Sequence, residues 1–445
     1  MPILPIDTGR YGTPEMLKIF EEETRVQKLL DVEAALALAH AEVGNIPKED
    51  AEKIASMAST KYVKVERVKL IEKEIKHDIM SLVRALSEQC GTSGAYVHLG
   101  ATSYDVVDTA NALQLKDAIA VLEKRLRDFK LILQKQAFTY KETVMIGRTH
   151  GQHALPITLG FKFAVWGYEV NRHLQRLEEC KKRVIAGKVS GAVGTQASLG
   201  EHAGEIQALV MKRLNINAAE ISTQIVQRDR YAELVGIYAM IATSLENFAT
   251  EIRELQRPEI AEVFESFEVK KQVGSSTMPH KQNPETCERV CGLARIIRSL
   301  EIPALEDMVT WHERDLTQSS TERFVLPESN IILDYILSLT SSIVANLKVD
   351  RHRMLANLSL TEGRSMSESV MIALVKKGVY RQEAHEMLRQ LTIKSAVEKK
   401  PFKQVLLEDK AVSSKLSEKE IDQALDPKSY LGTAVEQAEK FAKGP

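Results

Sequence analysis

Between Gly274 and Glu285 the chain reads GSSTMPHKQNPE, a loop-forming string that also carries two hydroxyls, a lysine and an asparagine. Gly274 supplies a hinge, and Pro279 and Pro284 limit where helix can form. A surface turn followed by a proline-started helix would explain the glycine, serines and prolines. It would not explain the remaining residues. With Ser275, Lys281 and Asn283 in one short loop, a hydroxyl, a fixed positive charge and an amide can be presented to one anionic substrate.

Other strings carry similar chemistry. GRTHGQHALP, from Gly147 to Pro156, sets His150 and His153 on either side of Gly151. Two histidines three apart could begin a metal site, but no HExxH pattern or further Cys/His/Asp cluster completes one, so no metal is expected. An imidazole that titrates near neutral pH is better suited to carrying a proton. GATSYDVVDTA, from Gly100 to Ala110, puts Thr102 and Ser103 at the entry to a long helix, where they can donate to a carboxylate and where Asp105 or Asp108 can cap. KHDI places Lys76, His77 and Asp78 on the polar side of an amphipathic helix. WHERDLTQSSTER contributes Arg314, Ser319, Ser320 and Arg323, and GRYGTPEM contributes Arg10 and Tyr11. Arg and Ser donors suit a phosphate monoester better than a small dicarboxylate. Taken alone, WHERD reads as a charged helix face.

These strings need a scaffold, and the composition says which kind. The 445 residues exceed what one core usually serves, so two or three domains are expected. Only 22 glycines, 13 prolines and 5% aromatics favour long helices over short strands and turns. Sixty Lys and Arg against sixty-one Asp and Glu leave no overall attraction to nucleic acid or anionic membrane, so an anion site must be local. No basic leader followed by an apolar stretch opens the chain and no run of about 18 apolar residues occurs, which reads as a soluble, cytoplasmic protein. Four cysteines, with Cys287 and Cys291 one helical turn apart, read as buried thiols rather than a disulfide framework.

Thr13-Pro14 starts a helix expected to run to about Val43. From Asn111 the apolar positions Leu115, Ile119, Leu122, Leu126, Phe129 and Leu133 form a heptad seam, and a second runs from Leu234 through Tyr238, Ile241, Leu245, Phe248 and Ile252 to Leu255. Apolar helices near 161–184 and 331–347 complete a bundle whose length calls for partner helices, hence a homo-oligomer. The expected fold class is all-α, in three helical domains at 1–110, 111–361 and 362–445. The tail AVEQAEKFAKGP is expected as an exposed, frayed amphipathic helix.

The string GSSTMPHKQNP resembles the signature loop of the fumarase, aspartase and argininosuccinate lyase superfamily, whose members eliminate fumarate. The resemblance runs along nearly the whole chain, and its details are similar to the adenylosuccinate lyases. It implies Ser275 as the base, favoured by motif offset over the adjacent Ser276, and His150 as the general acid with Glu288 as its carboxylate partner. It further implies Lys281 and Asn283 at the carboxylate that gains charge, and Ser276, Met278 and Thr149 among the substrate-binding residues. Thr102 and Ser103 would hold the succinyl group, and Lys76, His77, Asp78 and His98 would bind substrate. Gln224 falls at an amide contact, and Arg10, Tyr11, Arg314, Ser319 and Arg323 at the nucleotide phosphate. Many relatives carry Arg where Lys76 stands, which alters the geometry of that contact. Neither cofactor nor metal is implied. The expected partners are small-molecule nucleotide substrates and further copies of the chain, in a homotetramer with a multi-helix core and shared sites.

Within that superfamily, argininosuccinate lyase or a carboxymuconate cycloisomerase would leave Arg10, Arg314 and Arg323 unexplained, since those substrates lack a phosphate monoester. A silent structural protein on the same scaffold is opposed by the joint presence of Ser275, Lys281, His150 and Glu288. Nucleic-acid binding would need a basic stripe, and none is evident.

Overall fold

The computed structural model describes residues 3–266, 277–278 and 280–444. Ser275 and Ser276 lie outside the described residues. The all-α expectation holds: among the described residues, sheet is confined to one antiparallel hairpin, Val144–Thr149 with Gln152–Thr158, and two pairs of two-residue strands. The long helices are Ser103–Thr139, Leu159–Val184, Asp229–Gln256, Glu285–Glu306 and Thr317–Ala345. Both heptad seams are fully buried, from Leu115 to Leu133 and from Leu234 to Leu255. Each such Leu or Phe contributes roughly 1.5–3 kcal/mol of burial before conformational entropy is charged against it. No described helix is long and apolar enough to cross a membrane, and all four cysteines are free and buried.

The chain divides into two compact units. The first comprises residues 1–127, 172–245 and 292–338. Its opening helix is Pro14–Phe20, where Thr13 Oγ1 accepts from the Met16 N–H at 3.3 Å and proline fills the first turn. The single helix expected to Val43 is broken at Glu21, which is extended (φ −63°, ψ 152°), and resumes as Glu22–Glu42. KHDI does not lie along a helix face. Val65–Ile75 ends at Lys76, held left-handed at φ 57° and ψ 37°, and His77 then caps Asp78–Cys90 by accepting from the Met80 N–H at 3.3 Å. The motif is a helix junction: Lys76 closes one helix, His77 caps the next and Asp78 opens it.

Asp105 and Asp108 also depart from simple capping. Asp105 reaches back to the Thr102 N–H at 2.8 Å, as the acid of a capping box does. It also accepts from Lys188 Nζ and from the Ser190 N–H at 2.8 Å, with Lys188 fully buried. Asp108 caps nothing in its own helix: it receives both Nη atoms of Arg228 at 2.9 Å, and Arg228 is shared with Glu322 at 3.1 Å. WHERD is a turn rather than a helix face, because the Trp311 N–H donates to Asp315 Oδ2 at 2.7 Å and helix starts only at Thr317.

The second unit comprises residues 128–171, 246–291 and 339–445. It holds an aromatic cluster, with Trp166 stacked on Phe248 at 4.7 Å and Phe163 edge-on to Trp166 at 5.6 Å. Short helices from Ser367 onward enclose their own core of Val370, Leu374, Leu388, Phe402, Leu406 and Ile421. The tail is not frayed: Ala434–Lys443 is a helix whose Phe441 is buried, and a Cβ on Gly167 would lie 1.8 Å from Phe441 Cζ. Only glycine admits that ring.

The hairpin is the element that composition and periodicity concealed. Its connection is the two residues His150 and Gly151, at φ 53° and φ 74°. Left-handed backbone at both positions matches the twist of the flanking strands. Glycine takes it freely, whereas a side-chain-bearing residue such as His150 adopts it less readily.

Candidate functional site

The first unit contains a cavity of about 590 Å³. From the expected residues, Lys76, His77, Asp78, Ser103, Arg314, Ser319 and Arg323 line it. Three separate strings of sequence therefore meet at one surface. The helix junction delivers Lys76 to Asp78, the start of Ser103–Thr139 delivers Ser103, and the turn before Thr317–Ala345 delivers Arg314. Arg323 Nη2 donates to Asp78 Oδ2 at 2.7 Å, tying the first string to the third. Arg314 lies with its guanidinium carbon 3.7 Å from the centre of the Tyr104 ring, and its Nη1 donates to Gln224 Oε1 at 3.0 Å. Gln224 in turn donates to the Ala192 carbonyl at 2.8 Å. The arginine is stacked on one side and fixed at its tip, so little rotamer freedom is left to lose on meeting an anion.

Arg10, Tyr11, His98, Thr102 and Gln224 are not among the cavity's lining residues. Tyr11 packs at 5.7 Å on Tyr335, and the Arg10 guanidinium carbon lies 6.0 Å from the Tyr11 ring centre. His98 is turned left-handed at φ 65° and its Nδ1 lies 2.6 Å from Glu33 Oε1.

Tyr104 and Arg25 are among the cavity residues that sequence reasoning missed. Tyr104 stood inside GATSYDVVDTA and is the platform under Arg314; burial pushes its hydroxyl up. Arg25 sits in the first turn of Glu22–Glu42 with no motif around it, and lines the same cavity. Burial and then the charge of Arg323 lower its guanidinium from the usual value. Asp78 and Glu322 oppose that shift in part, and an anion in the cavity would oppose it further.

The described acid–base candidates, His150, Lys281 and Glu288, belong to the second unit. His150 and Thr149 are exposed at the hairpin tip. One residue earlier, Arg148 makes a bidentate pair with the buried Glu262 at 2.7 and 3.0 Å, and Asn357 donates to the same carboxylate at 2.8 Å. That pair anchors the strand that carries His150. His153 faces Arg148 across the hairpin, and burial followed by the Arg148 charge lowers its imidazole. Lys281 and Glu288 are exposed, Met278 is exposed, and Asn283 is half-buried. Glu288 stands in the first turn of Glu285–Glu306, whose start is held by Glu265 accepting from the Thr286 and Cys287 N–H groups at 3.1 and 2.9 Å. Among the described residues no hydrogen bond joins His150 to Glu288. No group of three or more His, Cys, Asp or Glu among them could hold a metal ion.

This geometry can bind a phosphate-bearing anion through Arg and Ser donors and can present an imidazole, a lysine and a carboxylate at exposed positions. Comparison with known proteins identifies the lineage. A family model described as "Lyase" matches residues 9–298, and one described as "Adenylosuccinate lyase C-terminus" matches residues 363–441. The adenylosuccinate lyase of Pyrococcus abyssi is 52% identical over 439 residues, covering 99% of this chain and 97% of that protein. Among solved structures, a fumarate lyase from Mesorhizobium sp. BNC1 superposes with a TM-score of 0.91 at 32% identity, covering all of both chains. A 3-carboxy-cis,cis-muconate lactonizing enzyme from Pseudomonas putida superposes at 0.90 with 32% identity, covering 99% of this chain and 98% of that one. Fold alone would not separate these activities; sequence along the full length does. The chain belongs to the adenylosuccinate lyase family and is a lyase.

Proposed function

We propose that the chain cleaves adenylosuccinate to AMP and fumarate, and the corresponding succinylaminoimidazole carboxamide ribotide of purine synthesis, in the cytoplasm. The observation that carries this reading is the convergence of Lys76, His77, Asp78, Ser103, Arg314, Ser319 and Arg323 on one cavity. Arg314, Arg323 and the Ser319 hydroxyl suit a phosphate monoester, with Ser103 left for a carboxylate.

In the proposed reaction Ser275, as its alkoxide, removes a proton from the β-carbon of the succinyl group. The electron pair forms the carbon–carbon double bond of fumarate as the C–N bond breaks, and His150 delivers its proton to the departing nitrogen. Glu288 orients His150. Lys281 and Asn283 stabilise the carboxylate that gains charge, with Ser276, Met278 and Thr149 beside it; Thr102 and Ser103 hold the succinyl group, and His98 and Gln224 contact substrate. Arg10 and Tyr11 join Arg314, Ser319 and Arg323 at the phosphate. No metal or cofactor takes part.

The working form is proposed to be a homotetramer whose sites draw on several copies. The exposed positions of His150, Lys281 and Glu288 support this. The segments 1–110, 111–361 and 362–445 are proposed as its three domains.

The test is an ultraviolet assay of the purified protein with adenylosuccinate, with fumarate identified by chromatography. Turnover is the expected result. A folded oligomer that leaves adenylosuccinate intact would overturn the reading and make argininosuccinate the next substrate to try.

A further inference from the structure

We propose that Glu33 is a positioning residue for this lyase, its buried carboxylate fixing the His98 ring so that Nε2 is presented to an anionic substrate as a hydrogen-bond donor. The proposal rests on the adenylosuccinate reading for what His98 meets, but not for the Glu33–His98 contact itself. Glu33 projects from Glu22–Glu42 with 1% of its side chain exposed, and its Oε1 lies 2.6 Å from His98 Nδ1. Its other oxygen, Oε2, is buried with no hydrogen-bond partner among the described residues. A carboxylate removed from water needs a counter-charge, and the imidazole is the group in contact with it. His98 keeps 11% of its side chain exposed, so the open side of the pair is the imidazole. The left-handed backbone of His98 at φ 65° is a further departure from relaxed geometry, four residues before Thr102.

With Nδ1–H donated to Glu33, Nε2 carries a proton only when the ring is cationic. Burial opposes that charge, but the charge of Glu33 and its hydrogen bond, with a smaller contribution from Asp105, raise the imidazole above its usual value. The other groups nearby do not compete. Asp105 is matched by Lys188 and by the Ser190 and Gly191 N–H groups. His40, two turns along the Glu33 helix, is lowered by burial and is occupied by the Leu99 carbonyl and the Asn45 amide, each at 3.0 Å.

The test compares the full-length wild type with Glu33→Gln, His98→Gln and the double variant in pH profiles of kcat/KM, after melting and size-exclusion checks of each. Glu33→Gln should lower kcat/KM roughly tenfold to a hundredfold, mainly through KM. Its alkaline decline should begin at lower pH than in the wild type, and the substitution should add nothing in the His98→Gln background. A uniform loss with an unmoved profile, or a loss that adds to that of His98→Gln, would overturn the proposal. Should Glu33→Gln not fold, Glu33→Asp keeps the charge and should keep the position of the alkaline limb; a displaced limb counts against the idea. Histidine-labelled protein titrated by NMR without substrate separates the two readings. If the His98 resonance, assigned by its loss in His98→Gln, titrates alike with and without the Glu33 carboxylate, the pairing fails whatever the substrate. If it titrates higher with Glu33 but adenylosuccinate is not turned over, only the substrate reading fails.

Discussion

The cavity of the first unit and the exposed edges of the second solve opposite problems. Around the cavity, Arg314 is stacked on Tyr104 and pinned to Gln224, Arg323 is tied to Asp78, and Glu322 is tied to the buried Arg228. In the second unit the framework is equally firm, with Arg148 locked to Glu262 and Glu265 holding the start of a helix. Yet the groups that framework presents, His150, Lys281 and Glu288, stand in water. Recognition can be preorganised within one chain because its side chains support one another. Proton transfer gains most where water is excluded, and a lone chain leaves these groups solvated, which is the physical content of the proposed sharing of sites between copies.

The contrast is broken most severely at His150. Replacement by Ala should reduce kcat by about 10²- to 10⁴-fold, the usual contribution of a positioned general acid, while KM and oligomer size stay nearly unchanged. Activity within a few-fold of wild type would remove His150 from the chemistry. In the first unit the largest effect should be on stability. Arg228→Met leaves Asp108 and Glu322 buried without their cation, and denaturant unfolding should register a loss of about 3–5 kcal/mol. The exposed Arg323–Asp78 pair offers the control: Arg323→Gln should cost no more than about 1 kcal/mol by the same measurement. Comparable losses from the two would mean that burial does not distinguish them.

Arg314→Ala sharpens the comparison from the side of recognition. If the cavity binds and the second unit transforms, KM for adenylosuccinate should rise roughly tenfold to a hundredfold, the loss of one or two charge-assisted hydrogen bonds, with kcat changing little. A fall in kcat at constant KM would place Arg314 in the chemical step instead.

What was legible in the sequence divides along the same line. The seams from Leu115 and Leu234 were readable because burial against neighbouring helices imposes a strict spacing, and the cavity's motif residues because Arg, His and Ser cluster in short strings. Local conformation was less readable. KHDI was expected on a helix, but Lys76 adopts a left-handed conformation that propensity does not foresee for lysine; WHERD was expected to be helical, but Asp315 folds it into a turn. The hairpin under His150 was missed because its strands are short and its turn lacks the usual Asn-Gly. Arg25 carried no signal at all: an arginine in a helix's first turn becomes part of a cavity only when distant elements arrive opposite it. The tail was misjudged because Gly167, far away in sequence, makes the space for Phe441.

The smallest predicted effect concerns Glu322, where the buried network and the cavity share a residue. Burial is the chief cause that pushes its carboxyl up to about 7; the Arg228 charge opposes this, while Asp108 and Asp307 add to it. One guanidinium faces two buried carboxylates, so the second negative charge is poorly compensated and the proton is held. Because the folded value lies above the ordinary 4.5, the folded state binds this proton more tightly than the unfolded chain does. The resulting stability is fully present below pH about 4.5 and is lost as pH rises through about 7. Glu322→Gln, neutral at every pH, should therefore lose less stability between those limits than the wild type does, read as the difference in denaturant midpoints at constant slope. Parallel pH dependence in the two proteins would mean that Arg228 satisfies both carboxylates, and that Glu322 is fully ionised in the cavity wall at neutral pH.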